Sequence, residues 1–176
     1  RTTAPTQLSE RTILRIGEST WSPTGGSTFL RYTNQDLDTV FTFLGRLIEP
    51  DTASGTTATD LPEFDGAPID GTVYSGTFSP DGNSLFYITE SETGSVGVVR
   101  DVAMDTERVI WSSPLRGLTA QWGAPDTIVV YTHATDVAEG AVWFVDPADG
   151  SERLVVSGER GLSALLNPTG EYLLYS

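Results

Sequence analysis

The sequence predicts an all-β chain, a β-propeller of four-stranded antiparallel blades, and three observations carry that expectation. The first is a hairpin, Phe78-Ser79-Pro80-Asp81-Gly82-Asn83-Ser84-Leu85-Phe86-Tyr87. Proline presets φ near −65° early in such a turn and glycine accepts the positive φ that L-residues resist. The second is its recurrence: Trp122 to Tyr131 and Leu166 to Tyr175 repeat it, with Tyr87, Tyr131 and Tyr175 spaced 44 residues apart. The third is that the remainder of each unit repeats too. Val96-Gly97-Val98-Val99 answers Val142-Trp143-Phe144-Val145, Arg108-Val109-Ile110-Trp111 answers Arg153-Leu154-Val155-Val156, and Arg116-Gly117-Leu118 answers Arg160-Gly161-Leu162. Four strands per unit at a period of roughly 40 to 45 residues is the signature of a propeller blade.

Taken in order, residues 1–10 are polar and aperiodic and read as a tail or linker, with blades over 11–176. Arg11 to Ile16 reads as an outermost blade strand, by analogy with the Arg-led strands at 108 and 153. The first unit spans about 17–48, and its hairpin, Trp21-Ser22-Pro23-Thr24-Gly25-Gly26 to Tyr32, reads as carrying two extra residues. Residues 49–71 read as a loop insertion: 52–59 is Thr-rich and of low complexity, and 61–69 adds two prolines and the apolar Leu61, Phe64 and Ile69. Further units occupy about 74–117 and 118–161, and 162–176 forms the first hairpin of another. Opening at Arg1 and closing midway through a repeat, the sequence reads as a partial propeller excerpted from a longer chain. A small ring closed by pairing the strand near Ile13 with the last hairpin is the alternative.

The pattern apolar-Ser-Pro-Asp-Gly-x-x-apolar-apolar-aromatic resembles the repeat of TolB-like propellers, also called WD40-like or PD40 repeats. Phe78 to Tyr87 matches it closely; Thr24 and Thr169 replace the aspartate in two copies, and Trp122 to Tyr131 lacks the glycine. The blades are also similar to those in the propeller domain of prolyl-oligopeptidase-type serine peptidases. More loosely, the Arg-Tyr strand, Ser113-Pro114-Leu115-Arg116 and the closing Leu-Leu-Tyr-Ser resemble uncharacterised membrane-anchored propeller proteins of candidate-phylum bacteria. These resemblances imply a cell-envelope or extracytoplasmic location and a parent that is anchored to a membrane. The last of these families has no activity to lend.

Composition narrows the function. Acids outnumber bases 24 to 10, every base is arginine, and the net charge of −14 repels phosphate backbones, so nucleic acid is not an expected partner. No stretch approaches the ~20 apolar residues of a membrane-spanning helix. Zero cysteines exclude disulfides, thiolate nucleophiles and zinc–thiolate sites within the segment. His133 is the single histidine and reads as polar surface; no Gly-x-Ser-x-Gly elbow is present. Asp146-Pro147-Ala148-Asp149-Gly150 lacks the spacing of a calcium loop and reads as a turn. No catalytic residue, metal site or cofactor is therefore expected.

One constellation follows from blade geometry. With strands lettered A to D outward, the B–C and D–A loops share one face. That face would gather Asp36, Asp38, Glu90, Glu92, Asp136 and Glu139 as an acidic rim, with Arg116 and Arg160 nearer the axis. Such a surface can dock a complementary protein or hold an anionic group. The plainer reading is solvated loop charge, with the arginines paired to neighbouring blades. The expectation is a non-enzymatic interaction module or scaffold. The alternatives are an accessory propeller of a prolyl-oligopeptidase-like hydrolase and a carbohydrate-binding or carbohydrate-processing propeller, for which Trp21, Trp111, Trp122 and Trp143 are candidate platforms.

Overall fold

The computed structural model describes residues 13–34, 39–48, 63–133, 135 and 138–175. They fall into two compact units, one drawn from Arg1–Trp21 and Gly25–Ile69, the other from Ser22–Thr24 and Asp70–Ser176. The first unit holds one antiparallel sheet in the order β1 (Ile16–Trp21), β2 (Ser27–Asn34), β3 (Thr39–Ile48) and β4 (Glu63–Ile69). The second holds β5 (Val73–Phe78), β6 (Ser84–Ser91), β7 (Gly94–Asp101) and β8 (Glu107–Ser113) in one sheet. Its next sheet is β9 (Leu118–Ala124), β10 (Thr127–Thr132), β11 (Glu139–Val145) and β12 (Glu152–Arg160), followed by the hairpin β13 (Ala164–Leu166) and β14 (Leu173–Tyr175). Each sheet is a meander in chain order, as a blade requires.

The Ser-Pro-Asp-Gly turn is held by its own side chains. Ser79 Oγ donates to Asp81 Oδ1 at 2.6 Å and accepts from Ser84 N at 2.9 Å, while Asp81 Oδ1 also accepts from Asn83 N at 3.0 Å. Gly82, at φ +76°, donates its N–H to Ser79 O at 2.9 Å. In the β13–β14 turn Asn167 and Thr169 rebuild this frame: Asn167 Oδ1 accepts from Tyr172 N at 2.8 Å and Gly170 N donates to Asn167 O at 2.9 Å. The repeated motif is thus a turn-forming device, which accounts for its tolerance of Thr in place of Asp.

In the second unit, apolar side chains from facing sheets interlock. Phe86, Ile88 and Trp111 from one sheet bury against Leu118, Ile128, Val130 and Val145 from the next, and Val129 and Val142 bury against Leu162, Ala164 and Leu166. Both faces of β9–β12 are therefore covered, and its strands lack clean alternation for that reason. Main-chain amides cross the same seams: Ala120 N donates to Ser75 Oγ at 3.2 Å and Trp122 N to Thr77 Oγ1 at 3.1 Å. These bonds set β5 and β9 side by side, and Leu166 N donating to Gln121 Oε1 at 3.0 Å does the same for β9 and β13. At the opposite edge Trp111 Nε1 donates to the Glu152 carboxylate, and Arg108 reaches the carbonyls of Pro147 and Ala148 at 3.0 and 2.9 Å.

The structure departs from the sequence reading at four places. Residues 63–69 lie inside the expected loop insertion, yet they form β4 and complete the first sheet; residues 49–62 are outside the described residues. The strand is hidden by Pro68 and Gly66, but Gly66 pairs with Gly45, and the Phe64 ring fills the space that a Gly45 side chain would take. Ile16 begins β1, which pairs with β2 in the manner of β5 with β6. It therefore opens the A strand of the sheet and is no outermost strand. The β1–β2 turn carries no extra residues: Trp21↔Thr28 and Thr20↔Phe29 reproduce Phe78↔Leu85 and Thr77↔Phe86 at one constant offset of 57. Finally, the β9–β10 turn is one residue shorter, so Ile128, Val129 and Val130 stand where Leu85, Phe86 and Tyr87 stand, and Tyr131 occupies the place of Ile88. Because strand side chains alternate, that slip sends Tyr131 to the opposite face from Tyr87.

Candidate functional site

The end of the β5–β8 sheet that carries the β6–β7 and β8–β9 loops is drawn together by Arg116. Its guanidinium pairs with the Glu90 carboxylate, and Nη2 donates to the carbonyls of Ser91 and Glu92 at 3.1 and 3.2 Å. Ser95 Oγ adds a bond to Leu115 O at 2.7 Å. Arg116 thus fastens one loop to its neighbour within the same blade, and its donors are turned to that task. The corresponding end of β9–β12 has Glu139 opposite Arg160 in register, and Gly161 N donates to Thr135 O at 2.7 Å. Arg160 is the last residue of β12 and is exposed; among the described residues it makes no ion pair. Of the eight residues singled out from the sequence, the structure joins Glu90 and the Glu92 main chain to Arg116 and sets Glu139 beside Arg160. Asp36, Asp38 and Asp136 lie outside the described residues.

Among the described residues no group of three or more His, Cys, Asp or Glu side chains converges as a metal site would require, and His133 is exposed. The Asp146 segment is a turn: Asp146 Oδ1 accepts from Ala148 N at 2.7 Å, and hydrogen bonding to Ser151 holds the Asp149 carboxyl below the usual carboxylate range. Burial, seconded by Glu107, pushes the Tyr87 phenol upward and keeps it a donor. Three of the four tryptophans serve packing: Trp111 is buried, Trp143 lies 6.4 Å from it between ring centroids, and Trp122 packs on the same cluster.

The first unit carries a feature that the sequence reading did not isolate, a groove of about 500 Å³ on one face of β1–β4. Trp21, Leu30, Tyr32, Phe43, Leu47 and Phe64 are among the residues that line it, as is Asp65. Phe43 and Phe64 stack at a tilt, 5.9 Å between centroids, while Trp21 and Ile16 remain 49% and 47% exposed. The signal was the run of apolar residues on β1 to β3. The run forms one face of a sheet only when Phe64 of β4 joins it.

No protein-family model and no curated protein matches the chain. Solved structures do. TolB from Acinetobacter baumannii superposes with a TM-score of 0.59 at 13% identity over 91% of this chain and 37% of that one. The β-propeller domain of the Trilobed protease from Pyrococcus furiosus superposes with a TM-score of 0.50 at 13% identity over 79% of this chain and 41% of that one. The chain thus spans well under half the length of either structure. Among the described residues no helix is long and apolar enough to cross a membrane. Strand order, register and these superpositions agree that the fold is a β-propeller of the TolB-like kind, built from antiparallel four-stranded blades.

Proposed function

We propose that this chain is a non-catalytic interaction propeller of a bacterial cell envelope, binding protein partners through the loop end that carries Arg116 and Arg160. The observation behind this reading is the contrast between the two arginines. Arg116 is consumed in fixing the loops, whereas Arg160, at the equivalent position one blade on, is exposed beside Glu139. A preset loop end with a displayed cation in a chain of net charge −14 suits an acidic or mixed-charge protein surface. The envelope location rests on the resemblance of the repeat to those of TolB-like propellers.

The test compares capture of envelope-fraction proteins by the wild-type chain, Arg160→Glu, and the double variant Arg116→Ala/Arg160→Ala. Folding of each is checked by circular dichroism. Loss of a specific partner with both variants supports the reading, and an unchanged set of partners overturns it. The accessory-propeller alternative draws on the likeness to the protease propeller domain. It requires a Gly-x-Ser-x-Gly serine with aspartate and histidine elsewhere in the same polypeptide.

A further inference from the structure

The sequence holds four Asp–Gly pairs, Asp65–Gly66, Asp70–Gly71, Asp81–Gly82 and Asp149–Gly150. Such a pair is chemically labile in water. The backbone nitrogen of the glycine attacks the side-chain Cγ of the aspartic acid, the carboxyl hydroxyl leaves as water, and a five-membered succinimide forms. Water then opens the ring at either carbonyl. One opening restores aspartate; the other leaves isoaspartate, whose main chain runs through Cβ and Cγ and is one methylene longer. The water lost is regained, so the mass is unchanged. Glycine favours the closure because it sets no side chain against the ring. The fold decides which glycine nitrogen and which carboxyl are free to meet.

Three of the pairs are held away from that geometry. Gly82 N donates to Ser79 O at 2.9 Å, and the Asp81 carboxylate is occupied by Ser79 Oγ at 2.6 Å and by Asn83 N at 3.0 Å. Gly150 N donates to Asp146 O at 2.8 Å, and Asp149 Oδ1 accepts from Ser151 N at 2.8 Å. The same hydrogen bonds hold both carboxyls below their ordinary value of 3.8, which lowers the share of neutral acid, the form whose hydroxyl leaves. Asp65 and Gly66 lie within β4, opposite Arg46 and Gly45 of β3, and the sheet keeps their backbone extended.

Asp70–Gly71 is under none of these constraints. It lies in the link between β4 and β5, outside any strand, and both residues are exposed. Among the described residues neither the Asp70 carboxylate nor Gly71 N makes a hydrogen bond. We propose that Asp70–Gly71 is the site at which this chain isomerises spontaneously, and that the product loosens the end of β6. The route for that effect is Thr72, whose carbonyl accepts from Glu90 N at 2.9 Å and from Thr89 Oγ1 at 3.1 Å. A methylene inserted two residues upstream displaces that carbonyl, and Glu90 is the ion-pair partner of Arg116.

Ageing of the purified chain at neutral pH and body temperature tests this, with isoaspartate located by electron-transfer fragmentation of its peptides. Asp70 should convert several-fold faster than Asp65, Asp81 and Asp149. In urea, where no hydrogen bond protects the other three, the four rates should converge. Asp70→Glu, whose longer side chain closes its ring far more slowly, should abolish the signal at this position and leave the others unchanged. In aged wild type the Glu90 amide should exchange with solvent faster than in fresh protein, and in aged Asp70→Glu it should not. Folded protein in which Asp70 reacts no faster than Asp81 and Asp149, or a preference for Asp70 that persists in urea, would overturn the assignment. Unchanged exchange at Glu90 after conversion would overturn the effect on β6.

Discussion

Thr77 Oγ1 accepts the backbone N–H of Trp122 at 3.1 Å, and the two residues belong to the first strands of adjacent blades. One blade thus satisfies, with a side chain, a main-chain donor that its neighbour cannot pair within its own sheet. Replacing Thr77 with Val keeps the shape and removes the acceptor, leaving a partly buried amide unpaired at a cost of about 1–2 kcal/mol. Urea unfolding should show that loss, and Thr77→Ser should recover most of it. Equal midpoints for Val and Thr would show that the bond adds nothing.

Gly150 tests the outer part of the same seam. Its φ is +76°, and a Cβ placed there would lie 1.7 Å from the carbonyl oxygen of Ile110. Backbone cannot swing aside as a flexible side chain can, so Gly150→Ala should cost at least about 2 kcal/mol. The thermal midpoint is the measurement. Gly158, also at positive φ but with open space around it, is the control, and its alanine variant should lose clearly less.

The hairpin turn predicts a response to acid. The Ser79 hydroxyl, followed by Asn83, holds the Asp81 carboxyl below its ordinary value of 3.8. A carboxyl depressed in the folded state contributes stability that is present above about pH 4 and is lost as pH falls through the lower, folded value. Asp81→Asn should therefore flatten the acid limb of the stability curve. Carboxyl NMR should place Asp81 higher in Ser79→Ala than in wild type. The effect is small, because the group is largely exposed to solvent.

Arg116 should matter to loop order more than to global stability. Its ion pair with Glu90 is half exposed, and pairs of that kind contribute within about 1 kcal/mol. Arg116→Ala also removes two bonds to the Ser91 and Glu92 carbonyls, so amide exchange should accelerate over residues 91–95 and stay unchanged in β9–β12. Uniform acceleration throughout the second unit would contradict this assignment.

The repeat was legible in the sequence because Ser79, Asp81 and Gly82 act within a few residues of one another, and local turn chemistry survives in a linear string. Register was less so. Tyr87, Tyr131 and Tyr175 look equivalent by spacing, yet one residue missing from the Pro125-Asp126 turn moves Tyr131 to the place of Ile88. Spacing alone cannot reveal this, since an aromatic residue suits either face of a strand buried on both sides. β4 is hidden in the sequence for another reason: Gly66 and Pro68 are poor strand formers, and only the glycine–glycine pairing with β3, with the Phe64 ring laid across Gly45, makes them part of a sheet. The loop-end arginines were found by position, but what separates them, one engaged and one displayed, depends on contacts between loops distant in sequence.

Thr77 and Gln121, 44 residues apart, capture peptide amides rather than particular side chains, so the latch is indifferent to whether Trp122 or Leu166 supplies the amide. A module copied or deleted by recombination would still present that amide to its new neighbour. Such a chain can change its number of modules during descent without reinventing the attachment, while its loops diverge freely.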